Sequence, residues 1–139
     1  MFFPDLGTEC QVDHGPHVRA VGWLSKDHPY PTGAADPGFV AALRKHVAQP
    51  WQPVAAGGRH LCKLCERVGS SANLWIPTVD VVFVAPALVI HYVEAHGYTP
   101  PDAFIQAVLA CPPQDSREYF ALMRRLPAWW AGVLPPPLT

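Results

Sequence analysis

Two cysteines three positions apart, Cys62 and Cys65, are followed after a 25-residue spacer by two histidines, His91 and His96. A tight turn through Cys-x-x-Cys aims both sulfurs at one point and leaves backbone N–H groups free to stabilise the thiolates. Zinc favours four nitrogen or sulfur ligands in a tetrahedron, and both end spacings fall in the ranges its structural sites use. The pattern points to one structural Zn2+ held by Cys62, Cys65, His91 and His96. One objection is geometric. Residues five apart on an ideal helix differ by about 140° in direction, at about 100° per residue. Gly97 answers it, because a glycine stop lets the last turn loosen and swing the His96 imidazole back. Arg59, Lys63, Glu66 and Arg67 make the cysteine segment polar, unlike a core strand with ordinary buried thiols.

Other chemistry fits these residues less well. A redox Cys-x-x-Cys needs a helix starting at its first cysteine, and Glu66-Arg-Val-Gly-Ser-Ser71 is a poor helix former. His91-Tyr-Val-Glu-Ala-His96 comes close to the His-x-x-Glu-His pattern of some zinc hydrolases, with the second histidine one place late. That leaves a metal-dependent hydrolase using Glu94 as the enzyme alternative, although four protein ligands leave no position for a reactive water. Cys10, His14 and His17 form a smaller cluster that reads as a solvated loop. His60 reads as strand surface, His46 as a cation at a helix end, and Cys111 as the end of a buried helix face. No phosphate loop, nucleophile elbow or kinase signature occurs.

The elements that must position the ligands are short. Val18 to Leu24 reads as a strand with a bulge or close backbone contact at Gly22. A helix should run from Pro37 to Ala48, capped by Asp36, with Phe39, Leu43 and Val47 on one face. Gln49 to Gly58 reads as a loop. Arg59 to Leu61 should lead as a strand into the cysteine turn, and Leu74–Ile76 and Val79–Val84 read as further strands. Pro86 should open a second helix ending at His96. A third helix is expected after Thr99, with Thr99 and Asp102 as a capping box, Pro100 at the first helical position, and Phe104, Ile105, Val108 and Leu109 facing inward. A fourth should run from Ser116 to Leu126, followed by a proline-rich tail over residues 135–139.

Composition narrows the partners. Charged residues make up 15% of the 139, against roughly 25% in an average domain. The net charge is −1 and no cation cluster of the size a nucleic-acid binder needs is present. The longest apolar run, Val81 to Ile90, is interrupted by Pro86 and is far short of the roughly 20 residues of a membrane span. These features predict a cytoplasmic protein with reduced thiols. Five tryptophans are many for this length. The Trp129-Trp130 pair should leave at least one ring pointing outward, suited to another protein or to self-association.

The run from Gly58 to Phe104 resembles a group of short uncharacterised bacterial proteins. The residues that carry the likeness are Cys62-x-x-Cys65, Ala85-Pro86, His91-Tyr92, His96-Gly97-Tyr98 and Pro100-Pro101, together with Gly22-Trp23-Leu24 outside the run. The resemblance implies that the cysteine and histidine pairs belong to one module and brings no activity with it. The expected architecture is a single α+β domain over residues 1–134. In it a small antiparallel sheet with a zinc knuckle, at about 58–98, packs against four short helices. The expected role is a zinc-stabilised binding or accessory protein in which chelation or Cys62→Ser unfolds at least residues 59–97.

Overall fold

The computed structural model describes residues 2–53 and 59–135. In chain order these form β1 (Val18–Ala20), α1 (Pro37–Ala48), β2 (His60–Leu61), β3 (Gly69–Ser70), β4 (Asn73–Pro77), β5 (Val82–Pro86), α2 (Val89–His96), α3 (Asp102–Ala110) and α4 (Arg117–Arg124), then a 3-10 turn over Trp129–Val133. The class is α+β. The second half of the 49–58 loop and the end of the proline-rich tail lie outside the described residues.

The main sheet has the order β1-β5-β4. β4 and β5 pair antiparallel, with Trp75 opposite Val84, across a turn in which Thr78 Oγ1 accepts from Val81 N–H at 3.1 Å. β1 instead runs parallel to β5, with Val18 opposite Val82. The sheet is therefore mixed rather than wholly antiparallel. A parallel partner needs a long crossover, and here α1 and the cysteine hairpin provide it. Every residue of β4 and β5 is buried, because the sheet is covered on both faces. Leu74, Ile76, Phe83 and Ala85 point to one side, onto α1, α2 and α3. Trp75, Val82 and Val84 alternate to the other, onto Tyr119, Met123 and Trp130.

Local signals account for most helix ends. Asp36 Oδ2 accepts from Phe39 N–H at 3.0 Å, and α1 has the predicted bounds. Ser116 Oγ caps α4 through Tyr119 N–H at 3.2 Å. Two expectations are corrected. Pro86 closes β5 opposite Asn73, and α2 begins three residues later at Val89. A proline needs no ladder donor at a strand end. The Thr99–Asp102 capping box does not form, because Thr99 N–H donates to Pro31 O at 2.9 Å in an extended connection, and Pro101 precedes α3 without a side-chain cap. On α3, Phe104 and Val108 are buried as expected, while Leu109 is 48% exposed.

Candidate metal centre

Cys62 leaves β2 and enters a turn that returns along β3. Cys62 N–H donates to Val68 O at 2.7 Å and Glu66 N–H to Cys62 O at 3.0 Å, so the turn closes on itself. Leu64 N–H lies 3.4 Å from Cys62 Sγ, supplying the backbone donor expected for a thiolate. Glu66 takes φ +60°, a left-handed conformation that costs a residue with a Cβ about 1–2 kcal/mol. Cys62 is fully buried, and Cys65 is half-buried.

The histidines come from α2. Gly97, at φ +67°, ends the helix, and the N–H groups of Gly97 and Tyr98 both reach back to Tyr92 O. These bonds span five and six residues instead of four, so the last turn is widened. That is the loosening which the five-residue spacing requires. His91 and His96 then stand with ring centroids 4.9 Å apart and planes at 81°.

All four donor atoms lie within 4.8 Å of one another, and among the described residues no other group of His, Cys, Asp or Glu gathers in this way. Cys62 Sγ is 3.5 Å from His96 Nε2, and Cys65 Sγ is 3.4 Å from His91 Nε2. An ion with sulfur at about 2.3 Å and nitrogen at about 2.0–2.1 Å in a tetrahedron separates those two donors by about 3.6 Å. Donor set and spacing both fit a four-coordinate metal ion. Burial, and then the neighbouring His96, hold the His91 pKa below the ordinary histidine value, which favours the neutral ring that a ligand needs.

Supporting residues tie the two halves together, and sequence reasoning missed them. Tyr92 OH accepts from Lys63 N–H at 3.3 Å, pinning the cysteine turn to α2 between the two histidines. Burial raises the Tyr92 phenol's pKa, so it stays protonated. Tyr30 OH donates to His96 O at 3.2 Å. Tyr98 OH donates to Asp5 Oδ2 at 2.7 Å, while Asp5 Oδ1 accepts from Gly22 N–H at 3.0 Å. The signal for Asp5 was absent because its partner lies 93 residues away.

The rival residues fall elsewhere. Glu94 pairs with Arg44 of α1. No helix starts at Cys62 to lower a thiol pKa. Cys10, His14 and His17 do not converge; His14 is exposed as a solvated loop would have it, while Cys10 and His17 are packed inward. Cys10 is buried, with its thiol pushed up to about 11. His17 Nε2 is 3.5 Å from Asp13 Oδ1, in a packed loop that Trp130 Nε1 also joins by donating to Asp13 Oδ2 at 3.0 Å. His46 is buried rather than a helix-end cation. Cys111 ends α3 half-buried, its thiol pushed by burial up to about 12.

No helix among the described residues is long and apolar enough to cross a membrane. No curated protein and no solved structure matches the chain. The model of one family does match, over residues 1–109, a stretch that contains all four donors, and the chain belongs to that family, described as "Domain of unknown function (DUF7919)".

Proposed function

We propose that the chain is a small zinc-binding protein in which one Zn2+ is structural, and that it works as a protein-binding or accessory module. The observation that carries this reading is the convergence of two sulfurs and two imidazole nitrogens, from a hairpin and a helix, at tetrahedral spacing. Two thiolates and two neutral imidazoles favour zinc over the oxygen-seeking cations. Four ligands from the chain fill the tetrahedron, which suits a structural ion and leaves no place for a reactive water. Glu94, engaged with Arg44, is poorly disposed to act as a base on such a water. A hydrolase is therefore the weaker reading.

A metal here would supply what the hairpin lacks. Its strands are two residues each, too short to be stable alone. Structural zinc can contribute about 10–16 kcal/mol of apparent binding free energy, comparable with the whole stability of about 5–15 kcal/mol of a domain. None of the four cysteines is in a disulfide, which suits the reducing, cytoplasmic setting that a two-thiolate zinc site needs. For self-association, Trp129 is the available ring, being 49% exposed while Trp130 is buried.

The test is metal analysis of the purified full chain. One zinc per chain is expected, falling well below one in Cys62→Ser and in His96→Asn. Cobalt substitution should give the absorption of a tetrahedral two-sulfur, two-nitrogen site. A wild-type protein that folds and melts identically with and without chelator, holding no metal, would overturn the proposal.

A further inference from the structure

We infer that the outer face of the cysteine hairpin docks an acidic protein segment that also carries aliphatic side chains. The inference deepens the zinc-module reading and rests on it, since the ion would be what holds this hairpin rigid. Arg59, Lys63 and Arg67, against Glu66 alone, make residues 59–67 positive in a chain whose net charge is −1. Zinc with two thiolates and two neutral imidazoles adds no net charge, so the excess belongs to these side chains. Arg59 and Arg67 are exposed and Lys63 half-buried. Among the described residues none of the three is in an ion pair.

Apolar surface lies beside this charge. Leu61 is 48% exposed and Val68 40% exposed. Leu61 pairs with Gly69 across the hairpin. The Arg59 side chain lies over that same glycine, so close that a Cβ there would clash with Arg59 Nε. Residues directly opposite each other on a strand pair point the same way, so the Arg59 side chain and Leu61 share the face over Gly69, with Val68 exposed at its border. Exposed aliphatic residues on a strand pair, rimmed by unpaired arginines, complement a segment that alternates carboxylates with aliphatic side chains.

Nucleic acid fits this face less well. Phosphate-driven binding grows with the number of phosphates that Lys and Arg neutralise, and this face offers three cations. The exposed apolar groups are aliphatic, not aromatic rings on which bases stack.

The experiment uses the full zinc-loaded chain and fluorescence anisotropy of a labelled 12-residue peptide of alternating Glu and Leu. A Lys-for-Glu peptide and a 20-nucleotide single strand serve as comparisons. The acidic peptide should bind at least about tenfold tighter than its basic counterpart at low salt, and more weakly as salt screens the charges. R59E/R67E should lose about tenfold or more, and Leu61→Ser should weaken binding at any salt, while zinc content and melting stay as in the wild type. Equal affinity for the two peptides, no binding to a chain that holds one zinc, preferential binding of the oligonucleotide, or an unaffected R59E/R67E would each overturn the inference. A chain without zinc would instead overturn the metal reading beneath it, and zinc is measured on the same sample, so the two failures are distinct.

Discussion

His46 shows how a single side chain can reverse its apparent role. In the last turn of α1 it reads as a cation facing the negative end of the helix dipole. In the fold it is buried, and its Nδ1 lies 3.2 Å from Gln114 Nε2. Gln114 Oε1 accepts from Trp51 N–H at 2.7 Å, so the amide must turn its NH2 towards the ring, and only an unprotonated Nδ1 can accept from it. Burial lowers the His46 pKa from 6.5, with the Val108 and Cys111 backbone opposing in part. The unfolded chain therefore binds the proton more readily than the fold does. The contribution of neutral His46 is intact above the ordinary histidine value and is lost as pH falls below it. His46→Gln should melt lower than wild type near neutrality, yet lose less in thermal melting between about pH 7 and about pH 5. An equal loss in both proteins would show that another group carries the acid sensitivity. Cys10 and Cys111, with raised thiol pKa values, should react with a maleimide far more slowly than Cys65 once metal is removed.

In the proposed zinc site, the hairpin and α2 would depend on the ion to different degrees. α2 keeps an apolar face of Val89, Tyr92 and Val93 in the core without it. The β2–β3 hairpin has its short ladder, the buried Cys62, the half-buried Leu64 and Cys65 and one hydrogen bond from Lys63 N–H to Tyr92 OH. The expectation that chelation unfolds residues 59–97 as one region is thereby narrowed. Hydrogen exchange after chelation should show Cys62 and Glu66 amides losing protection first, with the Tyr92 amide, bonded to Leu88 O at 3.0 Å, holding longer. Simultaneous loss at all three would mean that α2 also needs the ion. Two glycines matter around the helix, Gly97 for its φ and Gly22 for both its φ and a close approach. Gly97 requires its left-handed φ, so Gly97→Ala should cost about 1–2 kcal/mol and weaken zinc retention against a chelator by displacing His96. Gly22, at φ +78°, would place a Cβ 2.9 Å from Val89 Cγ2. Gly22→Ala should lower the melting temperature at least as much, because strain and clash add.

Across the molecule, the sheet separates two apolar layers. One joins α1, α2 and α3 to the metal side. The other is closed by α4 and the 3-10 turn, which lie beyond residue 109, where the family match ends. Trp51 packs edge-on against Trp75, Tyr119, Phe120 and Trp130, with centroids 5.9–6.4 Å apart. Tyr119 OH donates to Trp75 O at 2.7 Å. Trp130→Ala should therefore cost about 3–5 kcal/mol by thermal or urea unfolding and leave zinc binding in the folded fraction intact. Trp129→Ser should leave stability within about 0.5 kcal/mol. If Trp129 mediates self-association, that variant should shift the light-scattering mass of a concentrated sample down to one chain.

The α+β class, the bounds of α1, the cap at Asp36 and the grouping of Cys62, Cys65, His91 and His96 could all be read from the chain, because each rests on residue type and spacing over short distances. Even the widened end of α2 followed from Gly97 and the five-residue gap. The direction of β1, the end of β5 at Pro86 and the burial of His46 could not. Strand direction depends on the route the chain takes between partners, and the burial of a polar ring depends on which distant group satisfies it. Asp5 and Tyr98, or Gln114 and His46, meet only after the sheet is covered on both sides. Local physics specifies which atoms can hold a metal, and long-range packing specifies how firmly they are held.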